Sequence, residues 1–278
     1  MKTLFALTAL LLFTIVGYAQ SDIQKLVDTE HAFARMAADK GTKAAFQANF
    51  TDDAQVFNPD RVNAREFWAA RTPNASLLSW APNYADVSAN GIMGYTTGNW
   101  EFRSKGKDDT PTAFGDFITV WVRQPDGRYK FVIDIGVGHP KPEKYSTEWA
   151  TSPIKLKDLN EKGSSAADAA NGFYAAITDE GLAKAYEKYG AEDMRAYRED
   201  KQPFLGRKGI VAFVKGEKST FSLPKRSSFF GSADIAYNTN TYTKTVDGKV
   251  VERGNTMQIW KLIAGRWRIV LDIFKPIA

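Results

Sequence analysis

The chain contains no cysteine and only two histidines among 278 residues. The first absence excludes disulfide staples, thiol chemistry, cysteine metal sites and lipid attachment through a cysteine. With so few histidines as well, a transition-metal site is not expected, and no glycine fingerprint for nucleotides, paired-histidine metal motif or nucleophile elbow is present. A strong charge of one sign is also missing. The net charge is +5, from 37 basic and 32 acidic residues, and the two signs are interleaved as in "YEKYGAEDMRAYREDK". That pattern fits a solvated mixed surface and not a nucleic-acid face.

What remains is an ordinary globular composition, 44% apolar and 25% charged, in a chain long enough for two domains. The only long apolar run is at the start, in "MKTLFALTALLLFTIVGYAQ". One lysine, a short apolar stretch and then Gly17 and Ala19 describe a secretory signal over 1–19, with Gln20 as the first mature residue. The run is shorter than the roughly 20 residues a spanning helix needs, so no membrane insertion is expected. Export without disulfides suits a soluble protein of the periplasm or the exterior, and not a lipoprotein.

The chain writes one pattern twice. "GRYKFVIDIG" starts at Gly127 and "GRWRIVLDIF" at Gly265; upstream, "GDFITVWV" matches "GNTMQIWK", and "GYTTGNW" matches "AYNTNTY". These segments are β-branched, aromatic and separated by turn residues, so each half ends in a three-stranded antiparallel meander. Before it, each half carries two helical patterns, which Ser21 and Ser164 or Ser165 can cap and Gly41 and Gly181 can end. The Pro-rich, charged stretch Val137–Gly163 holds the connection. The organisation is then a signal over 1–19, a first domain over 20–140, a linker over 141–163 and a second, divergent domain over 164–278. Helices followed by a sheet predict an α+β fold with helices on one sheet face.

With "EHAFARMAADKG", "GYTTGNWEF" and "FGDFITVWVRQPDGRYKFVIDIGVGHP", the first half resembles, over Ile23 to Pro140, the SnoaL-like branch of the nuclear-transport-factor-two-like superfamily. That superfamily includes ketosteroid isomerase and limonene epoxide hydrolase, and the branch is close to domain of unknown function 4440. The second half is similar mainly in its strands. The resemblance implies two tandem cones, each a curved, mainly antiparallel sheet whose concave face holds helices around a pocket. It implies little about activity, because such cones host isomerases, hydrolases, cyclases and proteins without chemistry. It also implies that two copies can pair through their sheets, here within one chain or in a homodimer.

Candidate chemistry centres on the first half. Along its first helix the apolar stripe Ile23, Leu26, Val27, Phe33, Ala34, Ala37 is interrupted at Glu30. A carboxyl facing the core is either a tuned general acid or base, or a lock between helix and sheet. His31, at the edge of the stripe, can share a proton or stay half-exposed. Alignment of Phe173 with Phe33 puts Ala170 at the place of Glu30 and Asn171 at that of His31, so the second half lacks both. Asp134 recurs as Asp272, which suggests a structural task such as pairing with a strand arginine; the alternative is a pocket carboxylate at the sheet end, as the resemblance implies. By strict alternation Asp134 shares a face with Lys130 and Val132, opposite Tyr129, Phe131, Ile133 and Ile135. Asp116, replaced by Asn255, is a second pocket carboxylate or a polar residue at a strand start.

Tyr95, Trp100, Trp121, Trp68 and Trp80 supply core or an aromatic ligand wall. The expectation is a site for a small, largely apolar molecule, with no cofactor and no metal. Any chemistry is proton transfer of the isomerase or hydrolase kind, and the competing class is a non-catalytic binding or scaffold module. Intact-mass measurement of the exported chain checks the first expectation: its mass should correspond to a start at Gln20, and an unprocessed Met1 would overturn the reading of export.

Overall fold

The computed structural model describes residues 22–146, 148–152, 165–224 and 228–277. The expected signal and most of the linker lie outside these residues. No described helix is long and apolar enough to cross a membrane. The described residues divide into two compact units: unit 1 comprises those within 22–56, 63–136 and 143–151, and unit 2 those within 57–62, 137–142, 152, 165–224 and 228–277. Each is α+β with a mixed seven-stranded sheet.

In unit 1 the elements run α1 (22–40), α2 (Thr42–Asn49), β1 (Phe50–Phe57), β2 (Arg61–Asn63), α3 (Ala64–Ala69), β3 (Leu77–Trp80), β4 (Tyr84–Val87), β5 (Met93–Arg103), β6 (Ala113–Arg123) and β7 (Tyr129–Gly138). The sheet order is β2-β1-β7-β6-β5-β3, with β4 also on β5. β1 pairs in parallel with β7, so the sheet is mixed, with the meander as its antiparallel centre. Residues 148–152, in the middle of the expected linker, include Ala150, which bridges to Tyr84 of β4.

Unit 2 repeats the plan with α4 (Ala166–Glu180), α5 (Leu182–Tyr189), β8 (Gly190–Arg198), β9 (Phe204–Leu205), α6 (Arg207–Val214), β10 (Thr220–Ser222), β11 (Ser228–Ser232), β12 (Ile235–Val246), β13 (Lys249–Ile263) and β14 (Arg266–Pro276). Its order is β10-β12-β13-β14-β8-β9, with β11 on β12 and β8 parallel to β14. The equivalence of the meanders is exact in register: Gly94 faces Trp121 as Ala236 faces Trp260.

Local chemistry explains the helix ends. Ser165 closes a reciprocal capping box with Asp168. Gly41 and Gly181 separate the two helices of each unit at φ 87° and 89°, a backbone region open to glycine at little cost. In unit 1, Phe33 of α1 packs against Trp80, Phe46, Phe131 and Trp121 at centroid distances of 4.7, 4.9, 5.8 and 6.0 Å. This cluster joins α1 and α2 to one sheet face. Asp22, buried near the start of α1, accepts from Arg123 at the end of β6 and clamps the same helix from its other end.

Strict alternation fails along the last strand. In unit 2, Ile259 faces Leu271 but Trp260 faces Ile269, so Val270 is an extra residue. The bulge brings Ile269 and Asp272 onto one face, and Asp272 meets Tyr186 of α5 there. In unit 1 the register of β7 against β1 shifts between Phe131 and Ile133. Phe131 lies against Phe33, and Thr119, on the face of β6 that carries Trp121, donates to Asp134. Asp134 therefore shares the helix-facing side with Phe131, which corrects the face expected from alternation.

A buried polar network holds unit 2. Arg198 donates to Asp272 at 2.8 Å and to the Tyr186 hydroxyl at 2.5 Å, while Tyr186 donates to Asp272 at 2.7 Å. Gln258 donates to the other Asp272 oxygen at 2.9 Å. Asn238 and Tyr174 both donate to the Gln258 carbonyl, and Trp260 donates to Asn238 at 2.7 Å. Asp272 is thus neutralised by a strand arginine. Removing one member of a buried ion pair leaves the other uncompensated. Asp272→Ala should cost about 3–5 kcal/mol in the urea transition of unit 2; a loss under about 1 kcal/mol would show that the pair does not anchor the unit.

Candidate functional site

Glu30 is fully buried on α1 and receives three hydrogen bonds from neutral donors. Trp80 Nε1 of β3 donates to Oε1 at 2.6 Å, the Thr96 hydroxyl of β5 to Oε2 at 2.5 Å, and Trp121 Nε1 of β6 to Oε2 at 3.2 Å. Trp121 also donates to the Thr96 oxygen at 2.9 Å, which orients the hydroxyl. A carboxylate has about four acceptor positions, so these donors engage most of its capacity. Burial is nevertheless the largest influence and pushes the Glu30 pKa up to about 7, against the pull of Thr96 and Trp80, with the charge of Asp134 adding to the rise.

Asp134 lies across the same face on β7. Its Oδ2 accepts from the Thr119 hydroxyl at 2.8 Å, and the residue is half-buried. The surrounding protein still desolvates it enough to push its pKa up to about 7, with Thr119 pulling the other way. Two residues further on, Gly136 places no side chain on this face. A Cβ there would sit 3.4 Å from Trp100 Nε1, so the indole edge reaches over the strand beside Asp134.

The two units solve one problem differently. Asp134 and Asp272 occupy equivalent positions, and so do Trp121 and Trp260, and Thr96 and Asn238. Unit 2 has fully buried Ala170 where Glu30 stands and supplies Arg198 to its aspartate. Unit 1 places two desolvated carboxyls together and gives them hydroxyls and indoles. The charge of Asp134 adds to the rise at Glu30, while burial dominates at both.

The other sequence candidates fall elsewhere. β5 and β6 pair without interruption from Met93↔Val122 to Phe102↔Ala113. Alternation therefore turns Asp116 away from Thr119 and Trp121; it is buried and accepts from Asn99 at 3.0 Å. Tyr95 likewise points away from Thr96, with its ring 6.0 Å from Tyr84. His31 is half-buried and, as the next residue on the helix, points about 100° away from Glu30. Trp100 donates its indole N–H to the Asp116 carbonyl at 3.1 Å. Trp68 stands apart from Glu30, packed on Phe46 at 4.4 Å, and lines a cleft with Leu78 and Phe102. Sequence reasoning missed Thr96 and Thr119; the signal was their position opposite each other on adjacent strands, on the same side as Trp121.

No family model matches the sequence, and no curated protein does. Solved structures with a similar backbone include an NTF2-like protein with a cystatin-like fold from Novosphingobium aromaticivorans, at 16% identity and a TM-score of 0.34, covering 38% of this chain and 76% of that one. Another is an NTF2-like protein from Cytophaga hutchinsonii, at 13% identity and a TM-score of 0.34, covering 40% of this chain and 93% of that one. A third is a nuclear transport factor 2-like superfamily protein from Salmonella enterica serovar Typhimurium, at 16% identity and a TM-score of 0.34, covering 40% and 88%.

The carboxyl pair makes stability depend on pH with a definite sign. Folding raises the pKa of Glu30 from 4.5 and of Asp134 from 3.8, each to about 7, so the folded state holds more protons between these limits. The chain should lose stability as pH rises through that window and change little from this source above it. Urea midpoints of the parent and of Asp134→Asn at pH 5 and pH 8 test this. The variant should lose less between the two pH values; parallel losses would show that Asp134 titrates at its ordinary value.

Proposed function

We propose that unit 1 is a small-molecule site that moves a proton through Asp134, with Glu30 as the coupled acid that sets its ionisation. The carrying observation is that Asp134 sits desolvated on the sheet face that Glu30 covers, with a hydroxyl as its hydrogen-bond donor, whereas its counterpart Asp272 is locked to Arg198. A carboxyl with a pKa near 7 is an effective general base or acid at neutral pH.

Each group has a distinct part. Asp134, a less buried residue than Glu30, is the group that meets the substrate; Thr119 fixes one of its oxygens and leaves the other for the proton. Glu30 is enclosed by Phe33, Trp80 and Trp121 and acts through its charge: ionised, it favours a protonated Asp134, and protonated, it frees Asp134 to act as base. Trp100 offers an aromatic edge for an apolar substrate. The reaction class is cofactor-free proton transfer, either isomerisation at a carbon next to a carbonyl or water addition to a strained ether. Following the reading of the first residues as a signal, the site works outside the cytoplasm.

A second reading is favoured by the enclosure of Glu30, whose three donors can simply tie α1 to β3, β5 and β6. Unit 1 would then be a non-catalytic binding or scaffold module, and the tandem copies would pair within the chain. Deuterium exchange at the α-carbon of small apolar ketones, together with hydrolysis of small epoxides, separates the two. On the catalytic reading one reaction proceeds, its rate changes through about pH 7, and Asp134→Asn lowers it by about 100-fold or more. Equal rates for parent and variant would remove Asp134 from the chemistry.

A further inference from the structure

A cleft of about 710 Å³ opens on unit 1 where the end of α1, the start of α2, the end of α3 and strands β3 and β5 come together. Trp68, Leu78 and Phe102 supply its apolar surface, and Lys40, Lys43 and Arg71 are its charged residues. No aspartate or glutamate is among the described lining residues. Three cations around one cleft without a counter-charge in its lining give a positive field that the apolar floor strengthens.

Each cation has its own setting. Lys43 donates to the carbonyls of Ala69 and Arg71 at 3.2 and 2.5 Å and so closes the end of α3. The Arg71 guanidinium lies 3.7 Å from the Phe67 ring centroid and 5.9 Å from that of Trp68, which fixes it by stacking at the cleft edge. Lys40 is exposed at the end of α1.

A further feature points the same way. α2 starts in the cleft at Gly41, which provides no side-chain cap, and its first turn contains no acidic residue. The amides of Thr42, Lys43 and Ala44 have no acceptor within the helix, and the helix dipole favours an anion there.

We propose that this cleft binds a small amphipathic organic acid, with its carboxylate between Lys40, Arg71 and the start of α2 and its apolar body on Trp68, Leu78 and Phe102. The cleft is lined by neither Asp134 nor Glu30, so the assignment goes beyond the proton-transfer reading and adds a second small-molecule site to unit 1. Phe46 touches Trp68 at 4.4 Å and approaches Trp80 at 6.1 Å, so one aromatic layer separates the cleft from the Trp80–Glu30 bond.

Calorimetric titration of the exported chain with 2-naphthoate and with its neutral isostere 2-naphthamide tests the assignment. Naphthoate should bind about 10-fold more tightly than the amide and weaken as salt is raised. Lys40→Gln and Arg71→Gln, both at exposed positions, should each weaken naphthoate several-fold and leave naphthamide unchanged, and Trp68→Phe should weaken both. Equal affinities for the two probes, or naphthoate binding untouched by Lys40→Gln and Arg71→Gln, would overturn the proposal. Inorganic phosphate competing as well as naphthoate would reduce the cleft to a simple anion site and overturn the organic-acid assignment. Asp134→Asn should bind naphthoate like the parent, so loss of naphthoate binding speaks against the cleft, and loss of deuterium exchange speaks against the proton-transfer reading.

Discussion

A carboxyl removed from water has three remedies: a cation beside it, donors around it, or a proton on it. The two units of this chain hold an aspartate at the same strand position and use different remedies. Unit 2 pairs Asp272 with Arg198 and completes the shell with Tyr186 and Gln258. Burial holds the Tyr186 hydroxyl well above its ordinary pKa, so it stays a donor in this network. Unit 1 adds a second acid, Glu30, and answers both with hydroxyls, indoles and a raised affinity for protons. The first arrangement is saturated and the second is poised.

The fold makes this contrast possible through a small backbone device. A bulge in the last strand brings the aspartate onto the side that meets the helices, next to the residue that would otherwise face it away. In unit 1 the same irregularity sets Asp134 opposite Thr119 and beside the indole edge of Trp100. Glu30 arrives from α1, held in register by the Phe33 cluster and by the Asp22–Arg123 clamp. Three strands contribute its donors, so the helix cannot shift along the sheet without breaking them. The buried acid is therefore also a principal tie between helix and sheet.

Much of the architecture was legible because the repeat reports each meander twice and the helix boundaries carry Ser165, Gly41 and Gly181. Other parts were hidden for identifiable reasons. β1 reads "FTDDAQVF", where three consecutive polar residues obscure alternation, and the parallel pairing to β7 leaves no hairpin signal. α3 and β9 are too short for periodicity to register. The burial of Glu30 followed from its place in the apolar stripe, but its partners did not, because tryptophans read as walls and here also act as donors. The face of Asp134 was misread for want of the bulge, which no residue type announces. The role of Asp272 with a strand arginine was foreseen in kind. The basic cleft was not, since β1, β2 and α3 intervene between Lys40 and Lys43 on one side and Arg71 on the other, and the three converge only in the fold.

The account depends on the protonation of two side chains, and their carboxyl carbons report it. The most direct measurement is a ¹³C-detected NMR titration of Glu30 and Asp134, assigned through Glu30→Gln and Asp134→Asn. Two coupled steps with midpoints displaced to about 7, each variant simplifying the remaining curve, is the result that a desolvated acid pair predicts. Two independent transitions near the ordinary carboxyl values of 4.5 and 3.8 would contradict it, and unit 1 would then hold these acids as hydrogen-bonded ties and nothing more.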